Sequence, residues 1–150
     1  MSKCLPVILY RCSRRLSLCR IPLLPAFINY ATRVIFGCWL PSGVRSGRGL
    51  LLGYQGLGVV VHHDAVLGEN VHIDQHVTIG GKFTERGVPV IGDRVYIGAG
   101  AKILGPIRVG DDVIIGANAV VISDVPNAAV VVGVPARILP GLKQPSEIFQ

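Results

Sequence analysis

The four histidines of this sequence are the side chains best suited to proton transfer or metal binding near neutral pH. All of them fall within the stretch VVVHHDAVLGENVHIDQH, which spans Val59 to His76: they are His62, His63, His72 and His76. An imidazole can accept a proton from a reacting hydroxyl or ligate a metal ion. Which role applies depends on the elements that position the four rings.

Positive charge is concentrated at the N-terminus. Residues 1–50 contain eight Lys and Arg residues and no acid, whereas residues 51–150 contain seven bases and nine acids. This asymmetry favours an anionic contact for the N-terminal segment, with a membrane surface ahead of nucleic acid because no nucleic-acid motif accompanies it. A solvated basic face is the alternative. The length of 150 residues, half of them hydrophobic, predicts one domain.

The cysteines are spaced too widely for paired zinc-ligand motifs, and no cleavable secretory signal precedes them. They are Cys4, Cys12, Cys19 and Cys38. We therefore expect reduced thiols in a cytoplasmic protein.

Residues 1–39 form a basic leader whose second half has helical spacing of apolar residues. From Pro25 onward the stripe consists of Phe27, Ile28, Ala31, Val34, Ile35 and Cys38. Prolines and polar residues interrupt the apolar run 21–40, so an amphipathic helix is predicted rather than a membrane span. We expect this stripe to cap the core; docking on the inner face of a membrane is the alternative.

From residue 40 the sequence repeats every six residues. Over twelve hexads the first position is aliphatic in eleven, with Ser46 as the exception, and the fifth is small or aliphatic in all but Gly56. Neither a helix nor a long strand has this period. Short strands joined by tight corners do, which predicts about four coils of a parallel beta-solenoid. A three-residue insertion before Val61 and a loop extruded over 79–90 interrupt the repeat.

The second half of the sequence resembles a known family. The segments IGAGAKILGPIRVGDDVIIGANAVVISDVP and VVGVPARI resemble the acetyl-CoA-binding end of serine acetyltransferases, which are left-handed parallel beta-helix acyltransferases with hexapeptide repeats. The resemblance covers residues 40–139 and leaves 140–150 as a C-terminal tail. It implies an all-β fold, acetyl-CoA as co-substrate and a homotrimer with active sites between neighbouring solenoids.

The same resemblance implies a cofactor groove. Near the loop, Thr78, Gly80 and Gly81 would flank the pantetheine arm. The remaining candidates are Ala99 and Ala117 for backbone contacts, Lys102 as a further contact, and Pro135 and Arg137 near the nucleotide end. Small side chains suit such a groove because they let an extended amide-bearing arm approach exposed backbone groups.

The sequence departs from the family at the catalytic base. Serine acetyltransferases carry their base in a Leu-Asp-His-Ala segment, and the matching residues here are Leu52–Gln55, with Tyr54 in place of the histidine. The assisting Asp-x-His-Pro segment corresponds to Cys38–Pro41. These losses resemble short relatives from surface-polysaccharide pathways, which favours a saccharide hydroxyl slightly over L-serine as the acceptor.

The hexad register separates the histidines. His62 and His63 follow the insertion at positions two and three, His72 is at position six and His76 at position four, so they form no single column. A site made only of histidines is therefore not expected to hold a metal. We take His62 as the first candidate base and His63 as the second, with Asp64 or Asp74 fixing the tautomer. Tyr54 either binds the acceptor hydroxyl or is a packing residue without a catalytic role.

The resulting expectation is an acetyl-CoA-dependent O-acetyltransferase in the cytoplasm, peripheral to the membrane if the leader docks there. Two alternatives remain: a zinc hydratase similar to gamma-class carbonic anhydrases, and a catalytically inactive solenoid that assembles with a partner. The register of the histidines argues against the zinc hydratase. The absence of the family's histidine base and of its assisting aspartate argues for the inactive solenoid.

The first prediction concerns assembly. Because the family that the sequence resembles is trimeric, light scattering at micromolar concentration should give the mass of a trimer. A monodisperse monomer would contradict the prediction.

Overall fold

The structure is a computed structural model that describes residues 4–140. Its two helices are α1, Leu5–Leu18, and α2, Leu24–Phe36. In chain order the strands are β1 Arg45–Ser46, β2 Leu51–Leu52, β3 Val60–Val61, β4 Val66–Leu67, β5 His72–Ile73, β6 Thr78–Gly80, β7 Val90–Ile91, β8 Tyr96–Ile97, β9 Lys102–Leu104, β10 Arg108–Val109, β11 Ile114–Ile115, β12 Val120–Val121, β13 Val130–Val132 and β14 Arg137–Ile138.

The strands form three sheets that run along a solenoid. Sheet A contains β3, β6, β9 and β12, sheet B contains β1, β4, β7 and β10, and sheet C contains β2, β5, β8, β11, β13 and β14. All pairs are parallel except β13 with β14. One strand from each sheet makes a coil, so the prediction of a parallel beta-solenoid of about four coils is confirmed.

The hexapeptide period arises because the first and fifth positions point inward. In sheet C the first positions of successive coils are Leu52, Ile73, Ile97 and Ile115, all of which are buried. Each such side chain contributes about 1.5–3 kcal/mol by leaving water. The outward residue of each short strand remains half-buried or exposed, except Val130 of β13, which is buried.

Many of the corners between strands contain a residue with left-handed backbone. Asn118 has φ of +56° and stacks below Gly100, whose φ is +74°. A Cβ on Gly100 would collide with the Asn118 amide oxygen. Glycine at this corner is therefore fixed both by its backbone conformation and by the coil beneath it.

Helix α1 covers the open end of the first coil. Val7 and Tyr10 are buried there, and the Tyr10 hydroxyl donates a 2.7 Å hydrogen bond to the carbonyl of Val44. Helix α2 packs on α1, where Ser13 Oγ lies 3.0 Å from the Pro25 carbonyl. The cap satisfies strand-edge groups that would otherwise be unpaired.

The expectation that the apolar stripe caps the core is wrong for the part of the stripe that lies on α2, although Cys38 beyond the helix is buried in the core. Phe27 is 71% exposed, Val34 84% and Ile35 68%. The buried residues of α2 are Pro25 and Thr32, since this helix contacts α1. The other stripe residues of α2, Ile28 and Ala31, are half-buried. Among the described residues, neither helix is long and apolar enough to cross a membrane.

The four cysteines are free thiols, as expected. Burial, and then the neighbouring Cys4, raise the pKa of the Cys38 thiol to about 12. Cys38 therefore stays protonated and unreactive near neutral pH, where it acts as a small apolar core residue.

The predicted tail, residues 140–150, lies outside the described residues except for Pro140. Just before it, β14 turns back and pairs antiparallel with β13, with Val131 opposite Ile138. This strand covers part of the last edge of sheet C.

The second prediction tests the inward positions. Replacing Ile115 with Ala should lower the free energy of unfolding by about 2–5 kcal/mol, because it leaves a cavity in the central column. Urea denaturation at fixed protein concentration measures the change. Ile114→Ala removes the same atoms from the half-buried outer side of β11 and should cost clearly less. Equal losses would show that the inward column does not dominate stability.

Candidate active site

Most of the predicted site residues lie along sheet A and the two corners that flank it. After β3 and β6 the chain turns at one corner, here called the loop corner, from which residues 81–89 project. The backbone N–H of His62 donates to the carbonyl of Ile79 at 2.8 Å. His62 is therefore beside Gly80 of the next coil, at the base of the extruded loop.

Asp64 brings the two adjacent histidines into one cluster. His63 Nε2 lies 2.9 Å from Asp64 Oδ1, and His62 Nδ1 accepts a 3.2 Å hydrogen bond from the backbone N–H of Asp64. The second carboxylate oxygen, Oδ2, is 3.9 Å from His62 Nδ1. The ring centroids of the two histidines are 5.2 Å apart. Asp64 thus contacts both imidazoles and can orient either ring.

The same cluster has the composition of a metal site. One ligand atom from each of His62, His63 and Asp64 lies within 4.8 Å of the others, and all three residues are exposed. Two imidazoles and a carboxylate suit zinc with an open coordination position. A metal site made only of imidazoles was not expected from the sequence; the adjacent acid in the HHD triplet was the signal for a mixed set of ligands.

The surface next to His62 is open. A methyl group on Gly80 would meet no atom within 4 Å, and one on Gly81 would meet only the carbonyl of Gly87, at 3.5 Å. Packing within this chain therefore does not require glycine at position 80. The missing side chain leaves room for a bound molecule beside the imidazole.

Thr78 and Lys102 lie in register on β6 and β9, on the outer face of sheet A. Lys102 Nζ donates to the carbonyls of His76 at 2.7 Å and Gly100 at 2.9 Å. These bonds hold the ammonium group at the corner that precedes sheet A, opposite the loop corner. Lys102 places positive charge on this strip, and His76 contributes its backbone rather than its ring.

Ala99 and Ala117 occupy that same preceding corner in successive coils, since the N–H of Asn118 donates to the carbonyl of Ala99 at 2.8 Å. Beyond the last coil, the N–H of Ala136 bonds to the carbonyl of Val120 in β12. This bond places Pro135 and Arg137 beside β12, the last strand of sheet A. The predicted groove residues therefore form one strip that ends at the loop corner.

Tyr54 lies apart from His62. A 3-10 turn, Gly53–Gly56, absorbs the insertion at the corner before β3, and Tyr54 there has φ of +49° and is 78% exposed. His62 follows the other end of β3. His62 and Tyr54, both candidates from the sequence, therefore do not share a pocket within this chain, because a strand of sheet A separates the two side chains.

The cleft beside Tyr54 instead contains His72 and Asp74. It encloses about 460 Å³ and is also lined by Gln55 and Leu51. His72 Nε2 lies 3.2 Å from Asp74 Oδ1. His72 was not among the candidate bases predicted from the sequence; its outward position on β5, one coil below Leu51, was the available signal.

Tyr96 completes this second cluster. Its hydroxyl donates a 2.5 Å hydrogen bond to Asp74 Oδ2, and its ring meets His72 edge-on with centroids 5.1 Å apart. The hydrogen bond to Asp74, followed by burial and by the carboxylate charge, raises the pKa of Tyr96 to about 12. Asp74 is thus held between a phenol and an imidazole.

Comparison with known proteins shows a family match and several relatives. Residues 89–123 match the family described as bacterial transferase hexapeptide (six repeats). A serine acetyltransferase of Synechococcus elongatus is 36% identical over 122 residues, covering 80% of this chain and 50% of that relative. The chain spans about half the length of the curated relatives it matches.

Two solved structures are similar over most of this chain. Neisseria gonorrhoeae serine acetyltransferase in complex with serine has a TM-score of 0.82 and 42% identity, covering 88% of this chain and 54% of that one. A serine acetyltransferase complex with CoA has a TM-score of 0.82 and 36% identity, covering 89% and 55%. The predicted left-handed beta-helix acyltransferase fold is therefore confirmed.

The third prediction follows from the raised pKa of Tyr96. An unfolded tyrosine ionises near pH 10, whereas the folded residue keeps its proton to about pH 12. The unfolded state therefore binds fewer protons in this window, and stability falls as the pH rises through it. Tyr96→Phe should flatten the fall, as measured by urea denaturation at several pH values between these limits.

Tyr54→Phe is the matched control, because it also removes one phenol hydroxyl, from an exposed ring. It should leave the slope of the wild-type curve unchanged. If Tyr96→Phe keeps the wild-type slope, the hydrogen bond to Asp74 does not hold the phenol proton.

Proposed function

We propose that this chain, which matches the bacterial transferase hexapeptide family over residues 89–123 and is homologous to serine acetyltransferases, transfers an acetyl group from acetyl-CoA to a hydroxyl. The observation that carries this proposal is the strip along sheet A. It runs from Arg137, past Lys102 and Thr78, to the open surface at Gly80, where His62 stands.

The strip suits an extended co-substrate with charge at one end. The guanidinium of Arg137 is exposed beyond the last coil, where it can pair with a phosphate of the nucleotide. The short side chains of Ala99 and Ala117 do not obstruct the neighbouring corner. The absence of a side chain at Gly80 leaves room for the thioester. In this arrangement the acetyl group lies at the loop corner.

The transfer requires a base at that corner. The acceptor oxygen attacks the thioester carbonyl carbon while His62 takes the hydroxyl proton, and collapse of the tetrahedral intermediate breaks the carbon–sulfur bond. The proton then passes to the departing thiolate, which leaves as the free thiol of coenzyme A. No covalent enzyme intermediate is needed.

Asp64 sets the tautomer for this step. For His62 Nε2 to accept a proton, Nδ1 must carry the other proton of the neutral ring. Asp64 Oδ2, 3.9 Å from Nδ1, can accept a hydrogen bond from this Nδ1–H after a small rotation, and that bond would replace the one that the Asp64 backbone N–H now donates to Nδ1. His63, already 2.9 Å from Asp64, is the alternative base.

We propose L-serine as the acceptor to test first. The relatives are named serine acetyltransferases, and one of the similar structures is a complex with serine. The comparisons do not support the preference for a saccharide that the sequence suggested. Because Tyr54 replaces the base of that family, the proton must be taken by another residue, which is the role assigned here to His62.

The wider setting stays a proposal: a homotrimer in the cytoplasm, with the basic leader as its candidate contact for a membrane face. One observation favours a second activity. The cluster of His62, His63 and Asp64 has the ligand set of a zinc site. A zinc hydratase would depend on added zinc and would need no acetyl-CoA.

The fourth prediction tests the base. His62→Ala should lower the rate of coenzyme A release with L-serine by at least about two orders of magnitude, because a positioned general base contributes about a hundred- to ten-thousandfold. The affinity for coenzyme A, measured by calorimetry, should stay nearly unchanged. A parallel decrease in affinity would indicate a disturbed coil rather than a lost base.

Two variants serve as comparisons. His63→Ala keeps the neighbouring imidazole and should lose much less activity, while His72→Ala removes the ring of the cleft beside Tyr54. If only His72→Ala loses activity, the base is in that cleft and the assignment to His62 is wrong. Activity that requires zinc and disappears with a chelator would favour the metal site instead.

A further inference from the structure

A cleft rich in arginine separates α1 from the first coils, away from sheet A. It encloses about 370 Å³. Arg11, Arg14 and Arg15 of α1 line one side, and Arg48, from the corner after β1, lines the other. Glu69 is the one acid in this lining. Four guanidinium groups therefore face a space with a single carboxylate.

One of the four arginines is fixed in place by the backbone of the first coil. Arg14 Nη1 donates to the carbonyls of Ser42 at 3.0 Å and Val44 at 2.8 Å. The other three, Arg11, Arg15 and Arg48, are exposed. Within residues 4–140, no carboxylate forms an ion pair with any of these arginines, and Glu69 is no exception.

The role of α1 as a cap explains only part of this charge. Arg15 lies in the last turn of α1, where a cation stabilises the partial negative charge of the helix end. Arg14 ties the helix to the first coil. Neither reason applies to Arg48, which belongs to the solenoid, or to Arg11, which lies in the middle of the helix. Their convergence on one cleft therefore needs another explanation.

We infer that this cleft binds a phosphate group. Guanidinium groups donate paired hydrogen bonds to phosphate oxygens, and a dianion would offset the mutual repulsion of the four cations. The volume falls within the range of about 300–1,000 Å³ that is usual for small-molecule sites. The phosphate belongs either to a soluble molecule or to the headgroup of an anionic phospholipid.

The inference does not depend on the proposed acetyl transfer, since none of the residues along sheet A lines the cleft. Leu18, 71% exposed, stands at its rim. An apolar side chain beside a phosphate site is what a phospholipid would require, because its acyl chains need apolar surface next to the headgroup.

The test uses the full chain and two charge-matched double variants. Arg11→Gln with Arg48→Gln removes two cations from opposite sides of the cleft. Arg45→Gln with Arg108→Gln removes two exposed cations from the outer face of sheet B and serves as the control. Circular dichroism and thermal melting check that both variants are folded. Arg48→Lys keeps the positive charge but removes the guanidinium that can donate paired hydrogen bonds, and provides a milder third variant.

The probes are inorganic phosphate, followed by calorimetry, and vesicles of phosphatidylglycerol with phosphatidylcholine, followed by co-sedimentation. Replacing two arginines in the cleft should weaken binding of at least one probe by about tenfold or more, since a hydrogen bond to a charged group contributes about 1.5–3 kcal/mol and each tenfold is about 1.4 kcal/mol. The control variant should retain wild-type affinity, and Arg48→Lys should fall between the two.

The two probes identify the source of the phosphate. Loss of vesicle binding in the cleft variant alone assigns the cleft to a phospholipid headgroup, and loss of phosphate binding with unchanged vesicle binding assigns it to a soluble molecule. The inference is overturned if the wild type binds neither probe, or if the cleft variant and the control lose affinity equally. Acetyl transfer by the cleft variant, measured separately, keeps this test distinct from that of the proposed function.

Discussion

The stacking of short parallel strands around a column of buried aliphatic side chains is the constraint on which this structure depends. Neighbouring strands in a sheet lie about 4.8 Å apart, so each coil must place its inward residue directly over the one below. Ile73, Ile97 and Ile115 do so in sheet C. Because the inward register is fixed, the outward residues stack as well. Thr78 beside Lys102 is one result, and a continuous strip of surface is the other.

The corners are where this regular stack allows variation, and both clusters of titratable residues lie close to them. The loop corner carries His62, His63 and Asp64, and the corner before β3 carries Tyr54 in left-handed backbone. A strand side chain is held by its neighbours above and below, whereas a corner can lengthen without disturbing the core. The 3-10 turn that absorbs the insertion does this: it leaves Leu52 and Val61 buried on either side.

The end of the stack imposes a further requirement. The first coil has no coil above it, and α1 covers it with Val7 and Tyr10 while Arg14 binds the exposed carbonyls. Because α1 is attached to the first coil by an arginine side chain, the cap brings positive charge to this end of the solenoid. Together with Arg48 of the first coil, this charge forms the cleft, so the cap and the proposed phosphate site share one element. The apolar stripe of α2 remains outward because α2 packs on α1.

The sequence by itself determined the fold, because a six-residue period is a local property: it specifies which side chain of each short strand points inward without reference to any distant residue. The same locality predicted the extruded loop, whereas the pairing of β3 with β6 placed Gly80 next to His62. Only the tertiary structure decided which helix caps the core, since α1 and α2 both carry apolar faces and the choice depends on contacts with the first coil. It also decided that Asp64 pairs with His63 whereas Asp74 pairs with His72 and Tyr96. Those partners come from different coils or from side-chain directions at corners, which the hexapeptide register leaves free.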